Sequence, residues 1–389
     1  MKVGMVSPYD YGRPGGVGEH VRHLATELRR QGTEVKILAP SAGGRQPAVE
    51  GLYPLGRPIP IPANGSVARI SLSFHLSRKI REILDQERFD VVHLHEPLMP
   101  ALPVTVLRIN SEGVNVGTFH AYARQNLGYY YGRPLLRRQF RKLESCIAVS
   151  EPAKTFVSRY FPADYTVIPN GIDPGVFNPA VPPAPGIASP HRQTILFLGR
   201  LEERKGLGTL LEAYSLLRQV RADCQLVVVG EGPLRRGYER QVEEARIPDV
   251  RFCGFVPEAE KPSYFTAADI YCAPNTGKES FGVILLEAMA SGRPVVATAI
   301  DGFRQVITAG QEGLLTPPGD EAQMAAALAR LLDRPQLRRQ MAERGRLAAE
   351  GYAWPLVADR VLSVYESALR ARRHLEVNSF VQPSAASVR

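Results

Sequence analysis

From its third residue the chain alternates short apolar runs with amphipathic stretches, and this alternation constrains the fold more tightly than any other feature. Strands that are each followed by a helix pair in parallel, because a parallel partner needs a crossover long enough to hold one. VGMVS (3–7) leads through Gly12, Gly15, Gly16 and Gly18 into a helix from Glu19 to Arg30, then EVKILAP (34–40) and a loop to about Val67. A helix over Ser71–Gln86 follows, then strands at FDVVHLH (89–95) and VGTFH (116–120) and a basic helical segment from Leu135. CIAVS (146–150), a helix over Glu151–Tyr160 and TVIPNGI (166–172) complete this half. The pattern predicts an α/β fold built on a doubly wound parallel sheet.

At AVPPAPGIASP the alternation stops, and its prolines predict a stiff linker over 173–192 between domains 1–172 and 193–350. The second domain repeats the pattern with TILFLG (194–199), QLVVVG (225–230), VRFCGF (250–255), DIYCAP (269–274), PVVAT (294–298) and GLLTP (313–317). Apolar residues at helical spacing from Trp354 to Leu369 predict a helix over 351–373 that crosses back to the first domain, followed by a frayed tail, 374–389. Two doubly wound domains joined this way face a deep cleft lined by the carboxyl ends of their strands.

No run of 18 apolar residues occurs and the N-terminus reads as a strand, so neither a membrane span nor a signal peptide is expected. Cys146, Cys224, Cys253 and Cys272 are dispersed in apolar runs without a CxxC pair, which points to reduced thiols in a cytoplasmic protein. The net charge of +9 is uneven: residues 1–175 hold 22 Lys and Arg against 15 Asp and Glu. A basic N-terminal half suits an anionic partner, a phospholipid surface or a nucleic acid, but no nucleic-acid recognition motif accompanies the charges. Arg78, Lys79 and Arg81 on the Ser71–Gln86 helix, and Tyr129–Tyr131 followed by Arg133, Arg137, Arg138, Arg141 and Lys142, fit the membrane alternative.

The chemistry concentrates in KESFGVILLEAMASGR (278–293). Glu279 and Glu287 flank Gly282 and an apolar helical run whose start favours anions. With helical residues between them the two carboxylates stand roughly 12 Å apart at about 1.5 Å per residue, too far for a retaining glycosidase pair at about 5–5.5 Å. They suit different parts of one extended ligand. Arg200, after the first strand of the second domain, and Lys205, at its helix start, are placed to neutralise a diphosphate. GRPGGVG (12–18) brings backbone close to a phosphate but lacks the third glycine and the acidic ribose partner of a dinucleotide fingerprint. His93 and His95 share a strand face without a third ligand at matching spacing, so no metal site is expected. His120, at a strand end, is placed to touch substrate.

GMVSPYDYGRPGGV, PIPANGSVARI, FDVVHLHEP, FLGRLEERKG, ADIYCAP and ESFGVILLEAMA, in that order between Met1 and about Arg372, resemble the family 4 retaining glycosyltransferases of GT-B fold. Within that family they are most similar to the actinobacterial phosphatidylinositol α-mannosyltransferases that use GDP-mannose. The resemblance implies an acceptor- and membrane-side first domain and a nucleotide-sugar-binding second domain. It implies that Gly16 contacts the donor diphosphate through its backbone, that Arg200 and Lys205 bind the phosphates, and that Glu279 holds sugar hydroxyls. Ser280, Phe281 and Gly282 line the donor, with backbone N–H groups of the last two turned to it, and Glu287 takes the ribose. His120 lies beside the transferred sugar, Tyr9, Asn64, Ser66 and Arg69 are acceptor-side residues, and Arg78, Lys79 and Arg81 form a membrane-docking helix. Two positions depart from the pattern: Gly18 replaces a Gln directed at inositol, and Gln125, beside Arg124, replaces a Lys near the acceptor phosphate. The implied reaction moves mannose from GDP-mannose to phosphatidylinositol with retention, on the inner face of the cell membrane. No cofactor or obligatory metal is expected, since the chain has no DxD motif. A UDP-sugar donor, another acceptor such as diacylglycerol or a polysaccharide precursor, and a non-catalytic membrane-binding protein are the competing readings.

Overall fold

The computed structural model describes residues 1–13, 15–41, 51–63, 66–71, 76–123, 125–189 and 191–381, with backbone alone at 61–63, 66–68 and 376–381. The chain divides into two compact units, one holding Met1–Ala63, Val67–Pro169 and the C-terminal segment from Trp354, the other Asn170–Ala353.

The strands of the first unit are β1 (Lys2–Val6), β2 (Glu34–Ala39), β3 (Leu52–Pro54), β4 (Ile59–Ala63), β5 (Ser66–Ile70), β6 (Val91–His95), β7 (Val114–Phe119), β8 (Ser145–Ala148) and β9 (Tyr165–Val167). β4 and β5 pair with each other, and the rest form one parallel sheet in the order β3-β2-β1-β6-β7-β8-β9. Its helices are α1 (Gly16–Arg30), α2 (Ser77–Glu87), α3 (Leu102–Ile109), α4 (Leu127–Phe140) and α5 (Glu151–Ser158). Both sheet faces are covered, which is why strands such as Val91–His95 are buried at every residue. Ile80, Ile83 and Leu84 of α2 and Leu102 and Val106 of α3 cover Val6, Leu38, Val92 and Leu94. On the opposite face Val21, Leu24 and Leu28 of α1 meet Val3, Met5, Ile37, Val91 and Val116.

The second unit holds β10 (Gln193–Leu198), α6 (Leu207–Val220), β11 (Cys224–Val229), α7 (Arg235–Glu244), β12 (Val250–Gly254), α8 (Lys261–Ala267), β13 (Ile270–Ala273), α9 (Val283–Ala290), β14 (Val295–Thr298), β15 (Gly313–Thr316), α10 (Glu321–Leu332) and α11 (Pro335–Glu350). Its sheet is parallel in the order β12-β11-β10-β13-β14-β15. The last helix, α12 (Trp354–Val381), returns to the first unit, where Val357, Val361 and Tyr365 join the α1 face of the core. Burying such side chains contributes about 1.5–3 kcal/mol apiece. The helix continues past its expected end at Arg373, through part of the segment read as a tail.

Other expectations change. The loop expected before Val67 contains β3, β4 and part of β5. α4 begins at Leu127 instead of Leu135, because the Asn126 side chain caps it by accepting from Tyr129 N at 3.0 Å, and Gly128, Gly132 and Pro134 do not break it. The segment read as a linker over 173–192 is packed on the second unit. Phe177, Ala184 and Ile187 are buried in its core, Ala184 N donates to Ser263 O at 2.9 Å, and Gln225 Nε2 donates to Ile187 O at 2.7 Å. The apolar residues between the prolines supply the contacts, and the prolines stiffen the strap.

Candidate active site

In an open parallel sheet ligands bind beyond the carboxyl ends of the strands, where the strand order reverses. In the second unit that point lies between β10 and β13. Beyond β10 the chain passes Gly199 and Arg200, makes a 3-10 turn over Glu203–Lys205 and enters α6 through Gly206. A Cβ on Gly206 would lie 2.0 Å from the Pro274 carbonyl oxygen, so only glycine lets the loops after β10 and β13 press together. Thr276 N donates to Arg204 O at 3.0 Å and ties them.

This approach brings together charges that are 75 residues apart in the sequence, as Arg204 and Glu279 are. Glu279 Oε1 accepts from Lys205 Nζ at 2.5 Å, Arg204 Nη1 at 2.6 Å and Asn275 Nδ2 at 2.9 Å. Burial pushes the Glu279 carboxyl up, but the pull of Lys205 and Arg204 and their hydrogen bonds outweigh it and hold the group below its ordinary range. Arg204 Nε also reaches Glu202 at 3.1 Å, and the same carboxylate pairs with half-exposed Arg200 at 2.9 Å. Arg200, Arg204 and Lys205 are thus linked through two carboxylates, Glu202 and Glu279. Beyond Ser280 and the buried Phe281, Gly282 at φ +106° opens α9, whose N-terminus no side chain caps. Glu287 lies further along α9, buried at 7% exposure. A fixed positive cluster beside an uncapped helix start is an anion cradle.

In the first unit the reversal lies between β1 and β6. α1 starts at Gly16 with no side-chain cap, and nothing lies within 4 Å of a Cβ built there. β6 and β7 end at His95 and Phe119, and the following Glu96 accepts from His120 N and Ala121 N, both at 2.7 Å. His95 Nδ1 lies 3.0 Å from His120 Nε2, and the His20 ring stands edge-on to His120 at 4.8 Å. His20, His95 and His120 offer donor atoms within 4.8 Å of one another, close enough to share an ion, although the hydrogen bond already commits two of these rings to each other. Burial, then the neighbouring imidazoles, pushes the pKa of His120 well below the ordinary value and keeps its ring neutral. His93 is a core group held between Thr118 Oγ1 and Tyr365 OH, each at 2.6 Å.

Among the residues expected on the acceptor side, Tyr9 forms a β-bridge with Ile70, and Asp10 N donates to Arg69 O at 2.9 Å, so Tyr9 and Arg69 are neighbours. Burial, then Glu96, raises the Tyr9 phenol. Ser66 is described by its backbone in β5 alone, and Asn64 and Arg124 lie outside the described residues. Arg78, Lys79 and Arg81 are exposed on α2, with Arg78 paired to Glu82 at 2.9 Å. Gln125 is exposed, and a Cβ on Gly18 would meet only Arg13 O at 3.9 Å. Sequence reasoning missed Glu202, Arg204, Asn275, Glu96 and His20. The charge run LEERKG was a signal for the first two; nothing in the spacing announces His20, since the three rings come from α1, β6 and the end of β7.

Two family models match the chain, Glycosyltransferase Family 4 over residues 14–176 and Glycosyl transferases group 1 over residues 186–348. A phosphatidyl-myo-inositol mannosyltransferase of Mycobacterium leprae is 39% identical over 388 residues, covering 97% of this chain and 100% of that protein. The chain belongs to glycosyltransferase family 4. This family 4 enzyme shares its fold with sucrose-phosphate synthase from Thermosynechococcus elongatus (TM-score 0.74, 21% identity, covering 95% of this chain and 99% of that one). Anabaena HepE in complex with UDP gives a TM-score of 0.76 at 18% identity, covering 94% and 100%. These likenesses and the two parallel Rossmann-like sheets give the glycosyltransferase a GT-B fold, as expected. Among its described residues no helix is long and apolar enough to cross a membrane.

Proposed function

We propose that this family 4 glycosyltransferase moves mannose from GDP-mannose to a hydroxyl of a membrane lipid, phosphatidylinositol, with retention at the anomeric carbon, while bound to the inner face of the cell membrane. The observation that carries the reading is the Arg200–Glu202–Arg204–Glu279–Lys205 charge cluster at the strand-order reversal of the second unit. The name of the Mycobacterium leprae relative supplies the sugar and the acceptor.

In this reading Arg200 and Lys205 take the diphosphate, and their charge gains value as the sugar–phosphate bond breaks and negative charge grows on the leaving oxygen. Glu279, oriented by three donors, has its second oxygen for sugar hydroxyls. The N–H groups of Phe281 and Gly282, with Ser280 beside them, meet the donor at the start of α9, and Glu287 takes the ribose. Gly16 brings the start of α1 close to the diphosphate, and neutral His120 lies beside the sugar, donating or accepting without adding charge. The acceptor hydroxyl forms the new bond on the face the diphosphate leaves, and its proton passes to a phosphate oxygen. Tyr9, Asn64, Ser66 and Arg69 hold the acceptor, and Arg78, Lys79 and Arg81 attract the anionic surface.

The test is mass spectrometry of lipids after incubating the purified protein with phosphatidylinositol vesicles and GDP-mannose. A lipid heavier by one hexose is expected, and Lys205→Ala or Glu279→Gln should cut its formation at least about a hundredfold, the scale of losing a charge-stabilising group. Near-normal turnover in both variants would sink the role of the cluster. Product only with a UDP-sugar, or only on diacylglycerol, would replace the donor or the acceptor.

A further inference from the structure

The surface-binding part of the proposed function rests on α2, yet α2 offers a bilayer nothing to bury. Its exposed residues are Arg78, Lys79, Arg81, Glu82, Asp85 and Gln86, three bases against two acids, and one base is already paired. α4 differs. Leu127, Tyr130, Tyr131 and Leu135 are 67%, 66%, 76% and 72% exposed. Their spacing, three, four and eight residues on from Leu127, places them on one helix face.

That outward stripe is not needed for folding. The other side of α4 already packs into the unit: Tyr129 is 7% exposed and stacks with Phe156, and Leu136 and Phe140 lie against the same cluster as Phe119 and Phe161. A helix with an inward apolar face and a second one turned to water marks an interaction site. Its charges select the partner. α4 contains no Asp or Glu, Arg137 and Arg138 are exposed in its last turn, and exposed Arg141 follows. Tyrosines and leucines ringed by arginines suit the headgroup–acyl boundary, where aromatic rings settle and long cationic stems reach back to phosphates. α3 packs against both α2 and α4, so the basic helix and the apolar one flank the same neighbour.

We infer that α4 is the element that penetrates an anionic phospholipid bilayer, its Leu127–Tyr130–Tyr131–Leu135 face entering the interface while α2 contributes attraction without insertion. The inference rests on the membrane reading above and adds the penetrating surface to it.

The test places an environment-sensitive dye on each helix of the full chain. Partly exposed Cys253 is first changed to serine; Cys146, Cys224 and Cys272 are buried. Leu135→Cys or Arg78→Cys is then labelled and mixed with phosphatidylcholine vesicles with or without phosphatidylglycerol, a lipid that supplies surface charge without the proposed acceptor. A blue shift at position 135 but not at 78, on anionic vesicles alone, is expected. The triple variant Leu127→Ser/Tyr131→Ser/Leu135→Ser should pellet with these vesicles at least about tenfold more weakly, from the lost apolar burial. Pelleting with the position-135 dye still in water would overturn penetration by α4 and leave the membrane reading standing. No pelleting at all would sink both. A shift at 135 that grows with protein concentration in the absence of vesicles would assign the face to a second copy of the chain and refute the inference.

Discussion

Replacing Gly282 by alanine adds one methyl group where the chain enters α9. The backbone there has φ +106°, outside the regions open to a residue with a Cβ, and forcing such a residue into left-handed backbone costs about 1–2 kcal/mol. The methyl carbon would lie 2.7 Å from Phe303 Cδ1, 2.9 Å from Cε1 and 3.3 Å from Leu285 Cδ1. Phe303 and Leu285 are both 0% exposed, so neither has open space to move into. Overpacking of this kind costs about 1–3 kcal/mol. Together the two terms give about 2–5 kcal/mol, a large share of the stability of an ordinary domain. The strain is relieved most easily by displacing Phe281 and Gly282, so donor affinity should fall with stability. Urea unfolding followed by far-UV circular dichroism measures the first effect, and titration with GDP the second. A loss below about 0.5 kcal/mol, the range of an ordinary surface change, would refute the argument that the turn admits only glycine.

Two further outcomes follow from the cores. His93 is pushed down to about 3, and His95 and His120 well below the ordinary value, chiefly by burial. Once unfolded, these rings take up protons below about pH 6.5, so their contribution is complete above that pH and is lost as the solution is acidified. Glu96, raised to about 7 by burial against two backbone hydrogen bonds that lower it, works the other way between its unfolded value and about 7. Three groups against one give a net loss of stability as the pH falls from 7 to 5.5, readable as a fall in urea midpoint over that range; a flat or rising midpoint would contradict it. In the strap, Phe177→Ala should cost about 3 kcal/mol, since Phe177 is 7% exposed and packs edge-on against Phe265. A thermal scan showing no change would return this stretch to the status of a loose linker.

The alternation of strand and helix was readable because strands covered on both faces become unbroken apolar runs. α3 escaped, since LPVTVLRI is apolar nearly all round and carries a proline at its start, so no helical period stands out. The strap reads as a spacer from sequence alone because its prolines suggest one, while the partners of Phe177 and Ile187 lie elsewhere in the chain. At the site, Arg200, Lys205 and Glu279 announced themselves by their glycine neighbours. Their convergence through Arg204 and Asn275 depends on two loops touching at Gly206, a contact no local spacing encodes. The imidazole group needs three elements in register, so only the folded sheet assembles it.

α12 is made after the whole second unit, yet it completes the first core: Tyr365 OH sits 2.6 Å from His93 Nδ1, and Val357 and Val361 lie in the same cluster as Val3 and Met5. A nascent chain leaving the ribosome therefore carries an unfinished sheet face throughout synthesis of Asn170–Ala353. A fragment cut at Pro169 stays permanently in that state, with apolar surface open to chaperones or to other fragments. Producing the first unit by itself thus requires α12 to be spliced onto it or supplied as a separate peptide.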